Sequence, residues 1–215
     1  MITKSSYGSA ALWLPPAGLM LLLFVTELGG DAGRALLQYD RMAIADGQWW
    51  RLLTGNFVHL GWYHWLLNEL GLLVLVLLCP ETLSWKVWAR RVLLLSLGMS
   101  LGLYLFVPGL RTYVGMSGVI HGLFVLGLMP QILKRDLIAL GCLVYLLGKI
   151  GWEMGFGAPV SDEVALGGHV VVESHLFGSI AALLYGLTFG SFRGRESPHP
   201  PADTAVPLQS PKDSP

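Results

Sequence analysis

Six apolar runs, each long enough for a helix that spans most or all of a bilayer, constrain this chain more than any other feature. A hydrocarbon core of about 30 Å calls for about 20 helical residues, and somewhat fewer where a helix end stops below the surface. The runs cover residues 10–28, 62–79, 92–107, 117–133, 137–152 and 174–190. Hydrophobic residues make up 53% of the 215 and charged residues only 13%, about half the charged share of a soluble domain. The predicted class is therefore an all-α membrane protein with six transmembrane helices. Fourteen Lys and Arg offset fourteen Asp and Glu, so no basic field exists to hold a nucleic-acid backbone, and no nucleic-acid partner is expected. Cys79 and Cys142 both fall in apolar runs. That excludes a disulfide scaffold or a four-cysteine zinc site, and neither a metal nor another cofactor is implied.

Orientation follows from where the cations fall between runs. Lys4, Lys86, Arg90, Arg91, Lys134, Arg135, Arg193, Arg195 and Lys212 lie on one side; Arg34, Arg41, Arg51, Arg111 and Lys149 lie on the other. The richer side is predicted cytoplasmic, which places both termini there and agrees with an even number of spans. Glu27, Gly29, Gly30 and Asp31 offer no small-x-small cleavage site after the first run, so that run is expected to be retained as a span. Residues 193–215 hold six of the twelve prolines and almost no large apolar side chain. They are expected to form a disordered cytoplasmic tail behind a helical domain of residues 1–192.

Polar residues inside apolar spans are costly, and each is a candidate functional group. The second run opens with His64 and Asn68, an i, i+4 pair on one helical face. Taken alone, that pair also suits a plain role in hydrogen bonding between helices. The fourth run opens with GMSGVIHG, in which Ser117 sits between Gly115 and Gly118 and His121 follows one turn later. A serine at a helix start has the bland reading of an N-cap. The sixth run carries His175, followed by Gly178, Ala182 and Gly186 at four-residue spacing, and Gly118 and Gly122 repeat that spacing in the fourth. Small residues so placed let two helix backbones approach closely.

On the predicted topology the second, fourth and sixth helices run in the same direction, so His64, Asn68, Ser117, His121 and His175 share one depth. A serine nucleophile needs a neighbouring base, for which neutral imidazole is the common solution. Ser117 and His175 meet that need. The Ser117 N–H and the side chains of Asn68 and His64 suit an oxyanion. No Asp or Glu is evidently placed to orient His175, since Glu173 projects elsewhere on the helix, so the expected unit is a Ser-His dyad. Lys149 and Glu153, at i, i+4 near the outer end of the fifth run, can form an ion pair; the expected reading is a solvated helix end, and the alternative is a pair that steadies a substrate gate. The short fourth run after VPGLRTYVGM suggests a loop that dips into the protein, where irregular backbone lines a water-filled cavity.

These residues resemble the rhomboid intramembrane serine proteases. The resemblance rests on Trp50-Arg51 in the first loop, HLGWYHWLLN from His59 to Asn68, GMSG from Gly115 to Gly118, and His175 with Gly178 on the last helix. It implies Ser117 as nucleophile, His175 as general base, and His64, Asn68 and the Ser117 amide as the oxyanion hole. It also implies a six-helix bundle with an embedded first-loop hairpin containing Trp50 and Arg51, and a fifth helix that moves to admit substrate sideways. Ala182 stands where rhomboids often carry a second glycine. His121 stands where most rhomboids carry an aromatic residue packed beneath the catalytic histidine.

The compact chain and the GxSGxxHG pattern look like the rhombosortase branch. That likeness implies a multi-pass protein of the bacterial inner membrane, its site opening towards the periplasm. The implied substrates are exported proteins bearing a C-terminal Gly-Gly motif, a transmembrane helix and a basic cluster. Three other readings stay open: a general rhomboid protease for other single-span substrates, an inactive rhomboid-like protein that binds transmembrane clients, and a transporter.

Overall fold

The computed structural model of the protein describes residues 10–158 and 160–193. In chain order its elements are α1 (Ala10–Glu27), α2 (Gly30–Leu37), β1 (Tyr39–Asp40), α3 (Arg41–Ala45), α4 (Arg51–Thr54), α5 (Trp62–Leu78), α6 (Trp85–Phe106), β2 (Thr112–Tyr113), α7 (Ser117–Ile132), α8 (Leu137–Phe156), α9 (Val160–Leu166) and α10 (Val172–Phe189). The six apolar runs thus become α1, α5, α6, α7, α8 and α10. Of these, α6, α8 and α10 are each long and apolar enough to cross a membrane alone. Helices α1 and α5 meet that measure when counted with the short helical segment joined to them at a sharp bend, 109° after α1 and 89° before α5. The expected tail, apart from Arg193, lies outside the described residues, as does Lys4.

Two helices depart from the apolar runs for local reasons. Helix α6 begins at Trp85 instead of 92, because the Ser84 side chain accepts from the Val87 N–H and Arg91 on the new first turns reaches Glu81 at 2.6 Å. Helix α8 continues past 152 to Phe156 and stops at Gly157, whose φ of +79° favours glycine. Glu153 therefore lies within the helix and not beyond its end.

Helix α7 packs against α5, α6, α8 and α10. A helix surrounded in this way has no polar face to offer, which is why its apolar residues run all round instead of forming a stripe. Val119, Leu123 and Leu126 pack with Leu72, Leu95, Met99 and Leu103 in one buried cluster. The closest pairing is that of α7 with α10. A Cβ on Gly118 would stand 2.6 Å from the Ser174 carbonyl oxygen, and one on Gly122 would stand 2.6 Å from that of Gly178. Gly178 in turn lies against the Gly118 carbonyl. Ala182 continues this small-residue face and is fully buried.

The first loop folds back and is tied down by its cations. β1 pairs antiparallel with β2, Tyr39 opposite Tyr113 and Asp40 opposite Thr112. The Arg41 guanidinium donates to the carbonyls of Tyr104, Val107 and Leu110. The Tyr104 carbonyl is one that the last turn of α6 leaves without a helical partner, and the other two lie in the segment after the helix. Buried Arg51 donates to the carbonyls of Ala35 and Gln38 and to the Gln48 side chain. Of the segment that leads into α7, Tyr113, Gly115 and Met116 are buried and the Gly115 N–H donates to the Gly55 carbonyl at 3.1 Å, whereas Pro108, Gly109, Arg111 and Thr112 are exposed.

Candidate active site

Ser117 is the first residue of α7, and Met116 occupies the N-cap without a side-chain bond. The hydroxyl therefore does not cap its helix. It faces α10 instead, with Oγ 3.2 Å from Nε2 of His175. The glycine contacts make this approach possible, since Gly118 and Gly178 lie one residue after Ser117 and three after His175. Both side chains enter from first turns of their helices, and both border a cavity of about 810 Å³.

His64 and Asn68 border the same cavity from α5. Nδ1 of His64 accepts from the Leu60 N–H at 3.4 Å, which assigns the ring hydrogen to Nε2 and makes that atom a donor. The ring lies where any side chain at 115 would go. A Cβ there would come within 2.6 Å of His64 Cε1, and the backbone φ is +116°, so only glycine fits both demands. Asn68 is buried, and one Nδ2 hydrogen donates to the His64 carbonyl at 2.8 Å. Among the described residues no further acceptor takes the second Nδ2 hydrogen. The first N–H groups of α7 add backbone donors at a helix N-terminus. Beneath them the Tyr113 hydroxyl donates to the Gly115 carbonyl at 2.7 Å. Burial pushes that phenol up to about 12, so it stays a donor across the physiological range.

His121 lies flat against His175. Its ring stacks on that of His175 at 4.1 Å between centroids and 15° between planes. Its Nδ1–H donates to the Ser117 carbonyl at 2.8 Å, one helical turn back. The ring thus supports His175 and ties itself to the backbone of Ser117. Trp50 and Arg51 do not border the cavity. Trp50 is exposed, and the bonds of Arg51 hold the first loop together.

Glu153 is the residue that the sequence alone did not place here. The expectation that no carboxylate reaches His175 is overturned: Glu153 Oε2 lies 2.8 Å from His175 Nδ1. Its other oxygen accepts from Lys149 Nζ. The expected solvated helix end is instead a carboxylate only 6% exposed. One signal pointed to it. Lys149 and Glu153 are the only charged residues in α8, and a lone carboxylate in an apolar helix must find partners inside the protein. What the sequence lacked was the rotation of α8 that turns Glu153 towards α10.

A family model described as the Rhomboid domain matches residues 46–192, which includes every cavity residue named above. In Bacillus subtilis (strain 168), the protein named "Putative rhomboid protease YdcA" is 32% identical over 136 residues. That match covers 60% of this chain and 61% of the length of that protein.

Proposed function

The chain belongs to the rhomboid family, and on that premise we propose that this multi-pass membrane protein is a serine endopeptidase that cuts transmembrane or membrane-tethered proteins. The observation that carries the reading is the 3.2 Å approach of Ser117 Oγ to His175 Nε2 beside a cavity bordered by His64 and Asn68. In the proposed reaction Ser117 Oγ attacks the scissile carbonyl carbon while His175 Nε2 takes its proton. The oxygen of the tetrahedral intermediate receives hydrogen bonds from His64 Nε2, Asn68 Nδ2 and the Ser117 amide. The C–N bond then breaks, and the His175 imidazolium returns the proton to the leaving amine. Water next attacks the acyl-serine, giving a proton to His175, and as the acyl–Oγ bond breaks His175 passes that proton to Ser117 Oγ, leaving a carboxylic acid product, which ionises, and free Ser117.

The finer assignment is a sorting protease of the rhombosortase type, acting in a bacterial inner membrane on C-terminal Gly-Gly signals. His121 at the place usually held by a larger aromatic residue supports it. Small residues at the cleavage point suit a site whose base is already packed between neighbours.

A fluorophosphonate probe and a membrane-tethered substrate test the proposal on protein reconstituted in liposomes. Wild type should be labelled and should cleave. Ser117→Ala, His175→Ala and the double variant should be about equally inactive, because members of one catalytic unit do not add. Cleavage retained in Ser117→Ala would exclude the serine mechanism. An unlabelled, inactive wild type that still binds the substrate would favour a client-binding protein.

A further inference from the structure

We propose that Glu153 is a positioning residue for His175 and that Lys149 holds Glu153 in place, so that the site works as a Lys149–Glu153–His175–Ser117 line instead of a dyad. The inference rests on the proposed serine chemistry and adds to it the group that sets the state of the base.

A neutral imidazole has two tautomers, and only one leaves a lone pair on Nε2 to receive the Ser117 proton. Glu153 decides between them. A carboxylate oxygen can only accept, so at 2.8 Å from Nδ1 it requires the ring hydrogen to sit there. Nε2 is then bare and faces Ser117 Oγ. The contact also controls orientation. His121 stacked on one face restrains the plane of the ring, yet stacking tolerates a half-turn about Cβ–Cγ, which restores the same plane with each nitrogen exchanged for a carbon. The bonds at Nδ1 and Nε2, the two atoms that flank Cε1, exclude the flipped ring. When the ring gains its second proton during the reaction, a carboxylate already lies beside it to stabilise the imidazolium.

Lys149 explains how the carboxylate stays aimed. It sits one turn before Glu153 on the same face of α8 and takes Oε1, leaving Oε2 turned towards α10. A carboxylate this buried with only one partner would be costly, and with two it is satisfied on both oxygens. The line draws on three helices, α7, α8 and α10. It closes only when α8 lies against α10.

The test uses full-length protein carrying ¹⁵N-labelled histidine in micelles, and Glu153→Gln keeps the shape of the side chain while removing the obligatory acceptor. In wild type the ¹⁵N resonances of His175, assigned by their loss in His175→Ala, should report hydrogen on Nδ1 and a bare Nε2. In Glu153→Gln that preference should be lost. With rates corrected for the folded fraction, kcat should fall about 10²- to 10⁴-fold, as when an orienting carboxylate is lost from a serine protease, with little change in KM. Lys149→Met should keep the Nδ1–H tautomer and lose less activity than Glu153→Gln. A purely structural tether between α8 and α10 would lower thermal stability while leaving the tautomer and the corrected kcat unchanged, and that result overturns the proposal. The spectra do not depend on turnover. An inactive, unlabelled wild type with the expected tautomer would therefore sink the protease reading and leave the positioning role standing.

Discussion

Helices α10 and α8 both touch α7, yet they do so by opposite means. Against α10, the glycines of α7 meet backbone: carbonyl oxygens stand where the Cβ atoms of Gly118, Gly122 and Gly178 would go. Helix α8 has four glycines to the three of α7, and all four, at 141, 148, 151 and 155, face open space. Large apolar side chains of α8 such as Ile138, Tyr145 and Phe156 are three-quarters exposed, as suits a surface whose solvent is lipid. The nucleophile and base therefore sit on two helices locked backbone to backbone, while Glu153 joins them from a loosely held third. A glycine in a membrane helix has no single meaning; what its missing Cβ would have touched decides.

The largest effect should come from breaking the tight pair. Gly178→Ala drives a methyl group into the Gly118 carbonyl, and overpacking of this kind costs about 1–3 kcal/mol or more. Separating the helices also pulls His175 from Ser117, and a misplacement of about 1 Å can cost 10²-fold in rate. Probe labelling and thermal unfolding should fall together; normal labelling would mean that the contact is not needed to align the pair.

Asn68→Ala leaves both helix contacts intact and removes one donor from the cavity. Turnover should drop about 10²- to 10³-fold, while slow labelling of Ser117 persists. Full activity would remove Asn68 from the oxyanion site.

His121 sharpens the comparison within the tight pair, because its side chain and not its backbone supports the base. Stacked rings contribute about 0.5–1.5 kcal/mol, so His121→Ala should lose up to about tenfold in kcat. His121→Phe keeps the stack and should stay near wild type. Equal loss in both would instead assign the effect to the bond with the Ser117 carbonyl. The smallest effect belongs to Gly148→Ala on α8, which has room for its methyl group and gains helix propensity of about 1 kcal/mol or less. Cleavage should be unchanged, and a defect there would mean that α8 has a close partner during the reaction.

Much of this protein was legible without tertiary structure because its determinants are local. Hydropathy over a window of bilayer length marked the helices. Spacing within one helix put His64 and Asn68 on one face, and His121 on the face of Ser117. Small residues four apart marked α7 and α10 as partners. The missing information concerned relations between elements. Apolar length ended the fifth run at 152, whereas capping by Gly157 carried α8 on to Phe156 and brought Glu153 inside. Arg51 read as a motif residue of the first-loop hairpin, but which groups it ties there, the carbonyls 13 and 16 residues away, was not legible. Sequence by itself determined which residues are too polar to face lipid, since the cost of burying polarity belongs to each residue and its neighbours along the chain. Only the tertiary structure decided which of them meet. Helix rotation is set by packing summed over several neighbours, and a turn of one helix by a third of a circle would aim Glu153 at lipid instead of at His175.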